Sequence, residues 1–382
     1  MPPFKAIIKF FSFLTSKNVN TLAKAYHVML KCNGISTFLS QGGIGMENNE
    51  AQIKKTIFSG VQPSGKLTIG NYLGSIKNWR EFQESYNCIY CVVDLHAITV
   101  RQDPAELRRR TYETLALYIA SGLDPEKNTL FVQSHVPAHA ELSWVLNCYA
   151  MHGELNRMTQ FKDKSRKYAS NINAGLFTYP VLMASDILLY QTNLVPVGID
   201  QMQHIELTRD IANRFNQVYG DTFAIPEGFI PKAGAKVMSL AEPEKKMSKS
   251  DTNTNASVYI LDSKDDIIRK FKRAVTDSDT VVRRGEGKDG INNLMTIYTA
   301  FTGKTDTEIE KEFEGLGYGH FKLAVGEVVA DALSPVKTEF DRLMNDKTYL
   351  ETVMKDGAAH AAYLARKTLS KVYRKVGFTQ PK

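Results

Sequence analysis

SGVQPSGKLTIGNYLGS, residues 59–75, sets Gly60, Gly65 and Gly70 at the junction between an apolar run, KTIFSG (55–60), and a segment of different period. In that segment Ile69, Tyr72, Leu73, Ile76 and Trp79 recur at helical spacing. The stretch therefore reads as strand, glycine turn, helix. Such a turn leaves free backbone N–H groups at the helix start, beyond the carboxyl end of the strand. Those donors and the helix dipole favour an anion such as phosphate. The spacing is neither G-x-G-x-x-G nor G-x-x-x-x-G-K-[ST]. On spacing alone it serves a phosphate site and a tight turn equally well.

Working outward, the same alternation continues. CIYCVVDL (88–95) reads as a second strand. Asp103 then caps Pro104 at the first position of a helix that stops at Gly122. TLFVQS (129–134) is a third strand, followed by a helix from about Ala138. TNLVPVG (192–198) is a fourth, and the helix after it ends at Gly220. Strands alternating with helices imply a parallel sheet covered on both faces, with ligands bound beyond the strands' carboxyl ends. After about residue 240 the texture changes, and from Lys264 the pattern is helical, as in DDIIRKFKRAV and NNLMTIYTAF, with a loop at RRGEGKDG (283–290). The expectation is an α/β unit over 54–240, a helical unit over 241–350, and a C-terminal part, 351–382, whose helix (about Asp356 to Val376) docks back on the first.

The chain has 382 residues and a net charge of +7. Residues 1–46 hold five lysines (Lys5, Lys9, Lys17, Lys24, Lys31) and no acid, so only +2 remains for the rest. A basic globe is not indicated. The leader, about residues 1–50, mixes apolar, hydroxyl and basic residues like an organellar transit peptide, though without arginine. It predicts a mitochondrial (matrix) location, with cytoplasm or plastid as alternatives. No segment approaches about 18 continuous apolar residues, so no helical membrane span is expected. Cys88 and Cys91 form a C-x-x-C, but three residues apart on a strand they face opposite ways and cannot chelate together. Cys32 and Cys148 complete the set, all read as free thiols. His135 and His139, with Val-Pro-Ala between them, do not present the i, i+4 pair of a metal site, and His204 reads as an ordinary helix residue.

Two further stretches carry chemistry. KVMSLAEPEKKMSKSD (236–251) has no regular apolar period and collects Lys245, Lys246, Ser248, Lys249 and Ser250. It reads either as a mobile cationic loop able to close over an anion, or as a solvated charged face. In TYPVLMASDILLY (178–190), Tyr179, Met183 and Asp186 follow i, i+4, i+7 and share a helix face. An aspartate in so apolar a run needs a donor partner if buried. An indole N–H, which donates and cannot accept, would serve, as would water at a helix edge. Met183 would offer polarizable contact and Phe58 a stacking wall.

Together the glycine turn and the lysine-rich stretch resemble the paired HIGH and KMSKS signatures of class I aminoacyl-tRNA synthetases. The first here is Thr68-Ile69-Gly70-Asn71; the second is complete at 246–250. The form GVQPSGKLTIGNYLGSIKNW is similar to the tryptophan-specific members of bacterial and organellar type, as are DLHAITV (94–100), GELNRMTQFKDKS (153–165), VPVGIDQMQHIELTRDIANRFN (195–216) and AVTDSD (274–279). The resemblance covers about residues 54–376 and implies a Rossmann-like catalytic fold with a helical anticodon-binding domain.

By that resemblance the substrates are tryptophan, ATP with magnesium, and tRNA(Trp), and the protein is a homodimer. Tryptophan would be activated to tryptophanyl-adenylate and passed to the tRNA. Lys246, Lys249 and Lys164 would compensate charge, with Ser248 and Ser250 as donors. ATP would lie against Gln62, Pro63, Ser64, Thr68, Gly70, Asn71, Gly198, Ile199, Asp200, Val237 and Met247. Tryptophan would meet Asp186, Tyr179, Met183, Gln201, Phe58, His96, Val195 and Val197. One departure is Ile199, where the family usually carries glutamate. The rival readings are a tyrosine-specific synthetase, disfavoured by the complete Met-Ser-Lys-Ser loop, and a catalytically silent relative that binds RNA or a protein partner.

Overall fold

The computed structural model describes residues 54–167, 172–230, 236–248 and 251–379. The leader, Lys249 and Ser250 lie outside them. Five parallel strands form one sheet in the order β3-β2-β1-β4-β5. They are β1 (Thr56–Val61), β2 (Asn87–Val92), β3 (Thr129–Val132), β4 (Leu194–Pro196) and β5 (Glu227–Phe229). β1 and β2 run in register from Thr56↔Asn87 to Val61↔Val92. Sequence order reverses between β1 and β4, and a crevice opens there beyond the carboxyl ends. β5 was not expected: Glu-Gly-Phe is too short to show alternation, and edge pairing with β4 recruits it. Gly228 fits because a Cβ there would sit 3.1 Å from Met202 Sδ and 3.3 Å from Ile205.

The strands' alternation sorts their side chains into two cores. Ile57, Cys88, Tyr90 and Val92 face one side, whereas Phe58, Ile89 and Cys91 face the other. Cys88 and Cys91 thus lie on opposite faces as unpaired thiols. The glycine turn opens into α1 (Ile69–Asn71), a π-helical turn (Tyr72–Ile76) and α2 (Lys77–Ser85). After β2 come α3 (Asp94–Ala97) and α4 (Pro104–Ala120), the latter capped by Asp103, whose side chain accepts from Glu106 N–H. Between β3 and β4 lie α5 (Ala138–Asn147), α6 (His152–Arg157), α7 (Thr159–Lys167) and α8 (Ala174–Leu188), and α9 (Met202–Tyr219) follows β4.

Beyond residue 260 the described chain is helical: α10 (Lys264–Lys272), α11 (Asp289–Thr302), α12 (Asp306–Glu312), α13 (Tyr318–Asn345) and α14 (Lys347–Val376). Apolar residues of α10, α11 and α13 continue the core on the Ile57 face of the sheet, whereas Ala361, Ala365 and Leu369 of α14 join the opposite one. α14 begins at Lys347, nine residues before the expected start. Its Gly357 permits close approach to the sheet, since a Cβ there would fall 1.8 Å from the Leu130 carbonyl oxygen.

Candidate functional site

The end of β1 is fixed by hydrogen bonds that leave little play in the turn. Val61 N–H donates to the Tyr118 hydroxyl (3.1 Å), which donates to the Cys91 carbonyl (3.0 Å). Gly60 is required: a Cβ would lie 2.8 Å from Val93 Cγ1. Beyond the turn, Thr68 N–H donates to Asn71 Oδ1 at 3.0 Å. Ile69 N–H donates to the Val258 carbonyl at 2.9 Å, which pins the helix start to residues from the far side of the lysine-rich stretch.

A cavity of about 270 Å³ opens at the carboxyl ends of β1 and β4. β1 and the turn supply Phe58 and Gln62; α8 supplies Tyr179, Met183 and Asp186. β4 and its exit supply Val195, Val197, Gly198 and Gln201. His96 of α3 and Lys164 of α7 complete the wall together with Gln160, which the sequence did not single out. Gln160 Nε2 donates to Asp200 Oδ2 (3.0 Å) and Gln201 Nε2 to the same oxygen (3.1 Å). A Cβ at Gly198 would meet Asp200 Oδ1 at 2.7 Å, so a side chain there would displace the Asp200 carboxylate from its place beside Gln160 and Gln201. Ile199 points outward, 79% exposed.

Asp186 is 1% exposed and has donors within the protein. Oδ1 accepts from Gln133 Nε2 (2.7 Å) and His139 Nδ1 (2.6 Å), and Oδ2 from His96 Nε2 (2.8 Å). The reading that left only an indole or water as partner is thereby corrected: three side chains from β3's end, α5 and α3 already solvate the carboxylate. Burial pushes its carboxyl up, but the bonds from His139 and His96 outweigh it and hold the group below the ordinary range. Gln133 and His139 were missed because their contacts span 53 and 47 residues. The available signal was the need of a buried aspartate for donors.

His204 is likewise no ordinary helix residue. It is buried and shares a hydrogen bond of 2.8 Å with the Tyr179 hydroxyl. Burial, aided by the charge of Lys164, drops its pKa to about 4. Lys164 stands 4.2 Å from the centre of the Tyr179 ring, and burial lowers its pKa.

The remaining expected residues form a second group. Gly70 faces Val237, 3.6 Å from where a Cβ would be, and Met247 N–H donates to the Val237 carbonyl (3.1 Å). Val237, Met247 and Thr68 are buried. Lys246 pairs by a bridge with Met238, and its exposed ammonium has no ion-pair partner among the described residues. Ser248 is also exposed, and its carbonyl accepts from Ser257 Oγ at 2.9 Å. Pro63 and Ser64 lie in the turn itself, where Ser64 N–H donates to the Gln62 carbonyl (2.7 Å). Ile69 joins the two halves: it follows the glycine turn and bonds to Val258.

Comparison with known proteins agrees with this architecture. The family model for tRNA synthetases class I (W and Y) matches residues 50–334. A tryptophan–tRNA ligase of Clostridium tetani is 59% identical over 341 residues, covering 89% of this chain and all of that protein. Tryptophanyl-tRNA synthetase from Mycoplasma pneumoniae superposes with a TM-score of 0.77 at 34% identity, over 85% of this chain and 98% of that one. The enzyme from Campylobacter jejuni, solved with ADP and tryptophan, gives 0.75 at 33% identity over 85% of this chain and 100% of the other. With the parallel sheet, the glycine turn and the lysine-rich stretch in place, the chain belongs to the class I aminoacyl-tRNA synthetases specific for tryptophan, the tryptophan–tRNA ligases.

Proposed function

We propose that the 270 Å³ cavity takes the side chain of tryptophan and that ATP lies from there along the glycine turn toward Lys246. The observation that carries this is Asp186, an ionised acceptor in the wall of a cavity at the sheet's switch point, where it stands beside the apolar Phe58, Met183, Val195 and Val197. Asp186 would accept the indole N–H, with Met183 and Phe58 against the ring. Gln201 and Tyr179 would hold the α-amino group. The relative solved with ADP and tryptophan supports binding of an adenine nucleotide together with tryptophan here.

The chemistry asks little of a general base, because the attacking carboxylate is already ionised at neutral pH. Its oxygen bonds to the α-phosphorus as the bond to the pyrophosphate oxygen breaks, giving the adenylate. The acyl group then passes to the terminal ribose of tRNA(Trp), on the 2′-OH by class resemblance, and AMP leaves. Alignment and charge compensation are what the site must supply. The exposed ammonium of Lys246, without an ion-pair partner among the described residues, and the half-buried Lys164 fit that need, with Lys249, Ser248 and Ser250 as further donors. Magnesium would arrive with the triphosphate, which provides its oxygen ligands. Ile199 offers its backbone only, as its outward side chain indicates.

Lys246→Ala combined with Lys249→Ala is expected to slow ATP–pyrophosphate exchange by several powers of ten, at roughly 10²–10³ per group. Near-normal exchange would refute the charge argument. Helices α10–α13 would meet the anticodon end of the tRNA. A homodimer is supported by exposed apolar residues, Trp144 at 73%, Ile98 at 58% and Ile172 at 53%, the last two on segments joined by Asn173 Nδ2 donating to the Thr99 carbonyl (2.9 Å). Full charging activity in a monomer would contradict it. Mitochondrial import is supported by the leader's composition and by a family match that begins at residue 50. An intact leader on protein recovered from cells would count against import.

A further inference from the structure

The two oxygens of Asp186 are not equivalent. His96, bonded to Oδ2, lines the cavity with Asp186. Gln133 and His139, bonded to Oδ1, are fully buried at 0% exposure and stand behind it. An ionised carboxylate has about four acceptor positions. Both on Oδ1 are filled, and one of the two on Oδ2, so a single acceptor position remains, on the cavity side.

The hydrogens in this cluster can be placed by elimination. The Gln133 amide cannot turn over, because its Oε1 accepts from Leu95 N–H (3.1 Å), so its Nε2 donates to Asp186. Asp186 carries no proton to give, so Nδ1 of His139 is the donor in that bond. In neutral imidazole Nε2 then accepts, and the Tyr190 hydroxyl lies 2.7 Å from it. Ser185 Oγ donates to the His139 carbonyl at 2.7 Å and fixes the backbone of the same residue. Tyr190 in turn stacks on Phe58, which lines the cavity, at 5.8 Å between centroids.

We infer that His139 is a positioning residue for amino acid selection: held between Tyr190 and Asp186, it locks the inner carboxylate oxygen and leaves one outward acceptor, so that the site demands a ring that carries an N–H. This rests on the reading that Asp186 accepts the indole N–H. Gln133 shares the inner oxygen but is itself pinned through the backbone. His139 is the member whose orientation depends on a further side chain, Tyr190. A second-tier group of this kind fixes geometry without touching the substrate.

The test compares tryptophan with its analogue in which sulfur replaces the ring N–H, β-(benzothiophen-3-yl)alanine. Amino-acid-dependent ATP–pyrophosphate exchange is measured on the full chain, with KM for ATP as control. An acceptor left unmatched by the analogue should make the unsubstituted protein prefer tryptophan by about 10²-fold or more in kcat/KM. His139→Leu is expected to cut that preference at least tenfold, and His139→Asn, which keeps an N–H near the Nδ1 position, to retain most of it. An unchanged preference in His139→Leu, with both substrates slowed alike, would mean that His139 serves only the core and would overturn the inference. Should His139→Leu not fold, Tyr190→Phe carries the same comparison, with a reduced preference expected and an unchanged one overturning. If the unsubstituted protein shows no preference at all, the Asp186 reading fails instead.

Discussion

Replacing Asp186 by asparagine changes one atom in the cavity wall. The carboxylate accepts two bonds at Oδ1, 2.7 and 2.6 Å, and one at Oδ2, 2.8 Å. Asparagine can satisfy Gln133 and His139 with its oxygen turned inward, which points its NH₂ toward His96 and the cavity. His96 can adapt by moving its ring hydrogen. The indole N–H cannot, and it meets a donor. One hydrogen bond to a charged acceptor is lost, worth about 1.5–3 kcal/mol. At 1.4 kcal/mol per factor of ten, tryptophan affinity should fall roughly ten- to 150-fold. KM for tryptophan in pyrophosphate exchange and Kd by calorimetry read this directly, with KM for ATP expected within about twofold. Two charged bonds also become neutral, so thermal denaturation should show a loss of about 1–3 kcal/mol. Tryptophan KM and Kd both within twofold of the parent, in a variant that is nonetheless destabilised, would falsify the assignment.

Other consequences are sharp enough to measure. Gly357→Ala, which in an isolated helix would gain about 1 kcal/mol, should here destabilise by about 3 kcal/mol or more, because the new Cβ meets backbone at 1.8 Å and no side-chain rotation relieves it. An unchanged or raised Tm would show that α14 does not lie against β3 as described. His204 has a pKa of about 4 against 6.5 for the free group, so between these values the unfolded chain binds more protons than the native one. Stability should therefore rise with pH through that window and be lost as pH falls through it, more steeply than in His204→Gln. Parallel denaturation midpoints for the two proteins from pH 7 to pH 4.5 would exclude the effect.

How much of this was legible beforehand depends on the range over which each cause acts. The glycine turn, the strands β1 to β4 and the caps at Asp103 and Gly220 follow from local stereochemistry, and the structure places all of them. β5 was invisible because its three residues are ordered by their neighbour, not by their own pattern. The start of α14 was set too late because Gly357, which costs helix propensity, belongs to a contact with Leu130 over 200 residues away in the chain. His139 was weighed against His135 as a metal pair, whereas its partner is an aspartate on another helix. Pro137 does not break that helix; it stands at the N-cap of α5, which leaves His139 in the first turn, facing inward. The cavity's own side chains were legible in kind, since Tyr179, Met183 and Asp186 share a face by spacing. What solvates Asp186 was not, because a buried charge recruits donors from wherever the fold brings them.

The most direct test of the account is ATP–pyrophosphate exchange by the full chain with tryptophan and with tyrosine, each as the only amino acid. A cavity in which the open acceptor position of Asp186 is met by an indole N–H predicts exchange that depends on tryptophan and is negligible with tyrosine. Exchange with tyrosine and none with tryptophan would contradict it.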